Sequence, residues 1–422
     1  MNVEELVRDS LREQASDVPP PRTGFADRIL AERRRRRART LAAAAATTAL
    51  VVAAAVGVPT LLDGGRGQGV HVAGGEVSDR GVRSHVDQSP PRDKIAVGDQ
   101  VLAAYSTSRK VRRPNRDEIV ERTYSVLNQE TGRYEVDERW SFLAVAPGMR
   151  TAAVLERELP APRIGLLDLR TGKVTRWIPL AQGVGGLFFS PDGSKLVATT
   201  YDKNPDRAYW SHKVQVNDDL EPQRVPCRTG FAVVDVATGD ADWHALPAYA
   251  GGGGGYGSGE NLRFNTDGTL LYEPINMDPG VIYRDFDGKK VAVPAQEAHV
   301  DLMFAPAGLS PDGKLVAGPF AGGVKTTATQ VLDPRTGERV AKLRGQELLV
   351  WVDNERLIAW DIAPGGGEYE NRLVLVGIGS KKTISLSGAR TPKDHSSKAY
   401  NIPHRDCGLY SAGGAKDADA YR

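Results

Sequence analysis

Leu187-Phe188-Phe189-Ser190-Pro191-Asp192-Gly193-Ser194-Lys195-Leu196-Val197-Ala198 reads as an apolar run, a tight turn and a second apolar run. The phrase recurs. Ser310-Pro311-Asp312-Gly313 precedes Leu315-Val316-Ala317, and weaker copies stand at Ala146-Pro147-Gly148, Asn265-Thr266-Asp267-Gly268 and Val352-Asp353-Asn354-Glu355. Each residue of the turn has a local reason: Pro presets φ, the Asp carboxylate bonds back to nearby amides, and Gly takes φ > 0 without steric cost. A second turn, Asp-x-x-Thr-Gly, follows in most copies: Asp168 to Gly172, Asp235 to Gly239, Asp333 to Gly337. Successive first turns lie about 42 to 48 residues apart, with one interval near 75 that contains an insertion.

Apolar flanks of four to six residues are the length of strands buried between stacked sheets. One four-stranded unit cannot bury both of its faces alone, so it must stack on neighbours. A fixed period of this size predicts an all-β chain folded as a β-propeller. Six units are legible, at about 92–139, 140–180, 181–246, 260–294, 303–343 and 346–386. The first is the least regular, with Gly98-Asp99-Gln100 as its inner turn and Gln129-Glu130-Thr131-Gly132 as its outer one. The expectation is a six-bladed propeller over 92–386, or seven blades if the 387–422 tail supplies strands.

These turns resemble the repeats of TolB-like and WD40-like bacterial β-propellers, which carry the same Ser-Pro-Asp-Gly turn after the innermost strand. The likeness covers about 300 residues and is closest in the third and fifth units. The Trp-Asp and Gly-His pairs of true WD40 blades are missing; Trp360-Asp361 lies in a different strand. The resemblance implies the fold and a habit of binding, while function has to come from the site.

Ahead of the repeats, Arg33, Arg34, Arg35, Arg36, Arg37 and Arg39 precede 40–62, a stretch without charge. Its 23 residues, read as a helix, reach across about 30 Å of hydrocarbon. The arginines before it orient the N-terminus inward. The expectation is a single-pass anchor in the cell membrane, with 1–39 cytoplasmic, 40–62 transmembrane, 63–91 a polar linker and the propeller extracytoplasmic. A cleaved signal peptide ending near Ala53-Ala54-Ala55 is the alternative, against which stands a leading segment of 39 residues. The arginine block is also a site for anionic lipid.

Within 1–32, Asn2 and Glu5 form a capping-box pattern before Val3, Leu6, Val7 and Leu11, and Pro19-Pro20-Pro21 ends that helix. Thr23 caps a second one. Two short helices on the inner leaflet are one reading and a docking element for a cytoplasmic partner is the other. The layout resembles single-pass anti-sigma factors, without the Cys and His of their zinc-binding members.

Hydrophobic residues at 40% and charges at 26% are those of a globular protein. A net charge of +2, with much of the basic excess in one block, gives no sign of a nucleic-acid-binding propeller, and no nucleic-acid partner is expected. No cofactor or metal motif is present, and no catalytic signature. Tyr256 replaces the glycine that a nucleophile elbow around Ser258 needs. Gly251 to Gly255 opens no helix for a phosphate. Asp285-Phe286-Asp287-Gly288 lacks the remaining calcium ligands and reads as a hairpin turn. His395, His404 and Cys407 match no zinc spacing, and His212, His244 and His299 are isolated. An enzyme is not expected, although residues converging in a central channel for a hydrolase or lyase would leave no linear motif.

Long insertions fall in the loops opposite the tight turns: 106–122 in the first unit, 200–229 in the third, 249–259 before the fourth and 363–370 in the sixth. The third-unit loop combines Tyr201, Tyr209, Trp210 and His212 with Lys203, Arg207 and Lys213, which is interface material. The competing reading packs those aromatics on the propeller rim. The expected role is binding of a protein or small ligand outside the membrane through this face. The alternative is an anti-sigma-like transducer with an external sensor. Cys227 and Cys407 are expected to pair if both face an oxidising space.

Overall fold

In this computed structural model the described residues are 81–216, 219–247, 261–275, 280–300, 305–322, 327–366, 370–390 and 400–401. The chain divides into two compact units, Met1–Gly69 and Val70–Arg422, and every described residue belongs to the second. The cytoplasmic segment, the anchor and the arginine block therefore lie outside the described residues, as do Ser258, His395, His404 and Cys407. No helix among the described residues is long and apolar enough to cross a membrane.

The turns form as their chemistry demands. Ser190 Oγ donates to Asp192 Oδ1 and accepts from the Lys195 amide at 2.9 Å, while Gly193 sits at φ 73°. Ser310, Asp312 and Gly313 repeat this, with the Leu315 amide 3.0 Å from Ser310 Oγ. In the outer turns, Asp168, Asp235 and Asp333 each accept from the amide three residues on, at 2.7, 2.8 and 3.1 Å. Asn128 plays that part in the first unit, accepting from the amides of Glu130 and Thr131.

These turns join antiparallel strands into several sheets of a propeller-like, nearly all-β fold. Among the described residues the only helical element is the 3₁₀ turn Ala295–Glu297. The fourth and sixth units are four-stranded sheets, Arg263–Phe264 to Lys290–Val291 and Glu347–Trp351 to Ile384–Ser385. The fifth shows Val316–Phe320, Ala328–Leu332 and Arg339–Arg344, with Leu309 bridged to Val316. The second and third share Lys173–Phe189, whose first half pairs with Ala161–Asp168 and second half with Lys195–Tyr201. The expected boundary at 180/181 therefore falls within one strand, at the register shift between Pro179 and Val184.

The apolar faces meet between units. Phe142, Leu155 and Ile164 of the second pack with Leu187 and Leu196 of the third; Val197 and Phe231 pack with Leu262 and Phe264 of the fourth. Ile95, Leu102 and Tyr105 of the first share one cluster with Trp360, Leu373 and Leu386 of the sixth. Buried ions tie neighbours too. Glu273 of the fourth unit lies between Arg228 of the third and Arg284 of its own, all three under 10% exposed.

The sheet structure begins before the expected start at 92 and continues past 386. Val82–Arg83 pairs with Ala96–Val97, the His85 amide donates to the Leu386 carbonyl at 2.9 Å, and Gly388 donates to Gln88. Residues 81–91 are thus part of the sheet structure rather than linker. In the tail, Tyr400–Asn401 adds to the edge of Ala104–Arg112, a two-residue strand on the first unit.

Candidate functional site

The long loops of the first and third units do not stay separate. The 106–122 insertion is an extended hairpin, Ala104–Arg112 with Glu118–Asn128, and the third-unit insertion is a second hairpin, Arg207–Val216 with Asp219–Gln223. The two join edge to edge, Arg207 opposite Ile119 and Ala208 opposite Glu118. Between them in sequence lies the second unit, whose own loop at this position, 157–160, is short.

Side chains fix the junction. Arg122 donates twice to the Asp206 carboxylate, from Nη1 and, at 2.9 Å, from Nη2; their side chains are 9% and 11% exposed. Asp117 accepts from Arg207 Nε and from the Trp210 amide, both at 2.8 Å, and from Asn115. These donors hold the Asp117 carboxyl below its ordinary range against the opposing effect of burial, which is the largest single influence on it. Asn204 accepts from the Asp206 amide, and Asp206 accepts at its carbonyl from Val120. From the second unit, Arg157 donates to the Arg122 carbonyl at 2.7 Å. A cleft of about 520 Å³ lies beside the junction, lined by Arg113, Asn115, Ile119, Glu158, Asn204 and Arg207 among others.

Trp210 is the half-buried centre of this platform. Arg116, Lys213 and Arg112 stand 5.3, 5.6 and 5.8 Å from its ring centroid, within cation–π reach. Arg207 lies over Tyr209 at 5.3 Å, and Tyr209 meets His212 edge to face at 6.4 Å. His212 Nδ1 is 3.0 Å from Ser211 Oγ, and Lys203 is exposed. Tyr201 departs from the expectation. It is 4% exposed, its hydroxyl donates to Asn261 at 2.7 Å, and its ring fills the space beside Gly185. Its role is to seal the third unit against the start of the fourth.

Asp117, Arg122, Asp206, Arg112 and Arg116 were not singled out by the sequence. The signal it held was two long insertions carrying reciprocal charges, Asp117 and Arg122 in one, Asp206 and Arg207 in the other. Elsewhere, Asp285 to Gly288 forms the expected hairpin turn, the Lys289 amide donating to Asp285 Oδ1 at 2.8 Å. His244 pairs with Asp242 and stacks on Phe231, and the His299 ring lies against Gly337. Cys227 is a free thiol buried near Asp202, and burial, ahead of that carboxylate, pushes its pKa up to about 11.

No protein-family model matches the chain, and no curated protein does. Among solved structures it is similar to TolB from Acinetobacter baumannii, at 15% identity over 67% of each chain and a TM-score of 0.34. A chain of the Mitotic Checkpoint Complex is similar at 14% identity over 80% of this chain and 89% of that one, TM-score 0.36. Hydrazine synthase from Kuenenia stuttgartiensis is similar at 14% identity over 57% of this chain, TM-score 0.30, and the match spans 63% of the hydrazine synthase chain. At this level of similarity, the fold rests on the strand pairing itself.

Proposed function

We propose that the protein is a non-enzymatic, six-bladed β-propeller that binds a partner protein on the platform joined from its first and third units. One observation carries the reading: two loops from non-consecutive units meet in one sheet and set Trp210 among cations. A loop that merely covered the rim would need no such junction, because its aromatics would turn onto the blade beneath. Loops fixed by a rigid scaffold are where binding residues concentrate, and a half-buried Trp flanked by Arg is the composition of interface hot spots. Ring closure is supported by the apolar cluster shared by the first and sixth units. The uncharged 40–62 stretch and the arginines before it support an anchor with the propeller outside the cell membrane.

The test is cross-linking in intact membranes, with the wild-type chain and with Trp210→Ala as baits. The reading expects a partner captured by wild type and reduced about thirtyfold with Trp210→Ala, the loss of one hot spot worth about 2 kcal/mol. Equal capture by both chains refutes it.

A further inference from the structure

We infer that the platform takes an extended acidic segment of its partner protein, seated on the residues around Trp210. The inference rests on the proposed function and names what that face recognises. The first observation is a break in the third-unit hairpin. Tyr209 pairs with Gln223 and Val214 with Glu221, so Trp210, Ser211, His212 and Lys213 together face the single residue Pro222. Pro222 has no amide hydrogen to donate, and the first-unit hairpin stops at Glu118, opposite Ala208. Among the described residues, those four therefore have no ladder partner on either side. At this bulge the Trp210 amide donates to the Asp117 carboxylate instead of to a strand. A bulge of this kind re-aims side chains and leaves main-chain donors and acceptors facing outward.

The second observation is charge. Along 104–128 stand Arg109, Lys110, Arg112, Arg113, Arg116 and Arg122 against Asp117, Glu118 and Glu121. Asp117 is committed to Arg207, and Glu121 is shared by Arg109, Arg113 and Arg157. Arg112, Arg116 and Lys213 have no carboxylate within ion-pair distance among the described residues. They nevertheless converge on one indole, and Arg116 is held there at φ 68°, a conformation uncommon outside glycine. Like charges brought together in the unbound protein are relieved by an anion, so the arrangement favours a negative partner.

The third observation separates a polypeptide from other anions. Val214 and Leu220, 38% and 46% exposed, follow the bulge on the same hairpin. Val214 lies on the face of Glu221 and Leu220 on the opposite face with Gln215, so either face of the hairpin carries one exposed apolar side chain. A peptide of acidic residues with interspersed apolar ones satisfies the cations, the apolar side chain of one face and the outward backbone groups together. A phosphate or an acidic glycan satisfies the cations alone.

The experiment pans the full chain against a displayed library of random 12-residue peptides, beside the charge-reversed chain Arg112→Glu/Arg116→Glu/Lys213→Glu. The expected result is enrichment of acidic sequences with interspersed apolar residues, and their binding weakened at least tenfold by the reversal. Circular dichroism of the reversed chain checks that it folds, and a Lys213→Gln chain gives an intermediate loss if charge is the cause. Selection of neutral or basic peptides, or of none, overturns the inference. So does binding of polyphosphate or phosphatidylserine vesicles that depends on the three cations where no peptide is selected. If Trp210-dependent capture in membranes persists while no acidic peptide is enriched, only this inference fails and the proposed function stands.

Discussion

Arg122 and Asp206 lie 84 positions apart in sequence, and their bidentate ion pair is the most buried contact between the two hairpins. Replacing Arg122 by Met removes the guanidinium and leaves the Asp206 carboxylate in a site 11% exposed. Breaking a buried pair from one side costs about 3 to 5 kcal/mol, because the surviving charge has lost its partner without regaining water. Asp206→Leu leaves the opposite charge and falls in the same range. The double variant Arg122→Met/Asp206→Leu buries no charge and recovers most of the loss, to within about 1 to 2 kcal/mol of wild type. A coupling of several kcal/mol is thus expected between residues of non-consecutive units. Urea denaturation gives the global part. Hydrogen exchange of the Val120 amide, which donates to the Asp206 carbonyl, gives the local part if the hairpins separate before the sheets unfold. Single variants costing under about 1 kcal/mol by both measures, or a double variant as unstable as the sum of the singles, refute a fixed junction.

Gly313 sits at φ 69° with open space where a Cβ would stand, so Gly313→Ala isolates backbone strain. It costs about 1 to 2 kcal/mol in urea denaturation, and Gly313→Asn costs less because Asn tolerates this region. Asp192 is lowered from 3.8 to about 2, first by the Ser190 hydroxyl and then by the Ser194 amide and hydroxyl. Its folded pKa is below the unfolded one, so its contribution is complete above about pH 4 and is lost as pH falls through about 2. The stability gap between wild type and Asp192→Asn therefore closes between about pH 4 and pH 2, and a gap that widens on acidification contradicts the turn geometry. Cys227, with its thiol pushed up to about 11 and buried, resists iodoacetamide in the native chain at about pH 8. Peptide mapping without reductant tells a protected thiol from a bridge to Cys407, and rapid alkylation at Cys227 contradicts the burial.

The repeat was legible because its turns are written in residues with one local use each. Ser190, Asp192 and Gly193, and Asp168 with Gly172, make bonds within a few consecutive residues, so sequence alone locates them. Even the irregular first unit follows the rule once Asn128 is recognised as the stand-in for Asp. The junction was not legible. Arg122 and Asp206, or Asp117 and Trp210, are separated by 84 and 93 positions, and nothing local distinguishes them from solvated charges. Tyr201 was misplaced for the same reason. An aromatic at the start of a long loop looks exposed until Gly185, on the neighbouring strand, supplies the space its ring occupies. The extension of the sheets to 81–91 rests on backbone bonds from His85 and to Gln88, groups every residue carries, so composition alone read that stretch as linker.

The central claim is that the insertions of the first and third units form one platform, and a cross-strand disulfide tests it most directly. Glu118 and Ala208 are register partners across the junction, and neither side chain takes part in the Asp117 or Arg122 contacts. Directly opposed residues of an antiparallel pair have Cα atoms about 5.5 Å apart or closer, within disulfide range. Glu118→Cys/Ala208→Cys, oxidised under mild conditions and mapped by mass spectrometry, is predicted to form the 118–208 bridge in nearly every molecule while retaining Trp210-dependent capture. Free thiols at both positions, or a bridge that forms only after urea is added, would contradict the account.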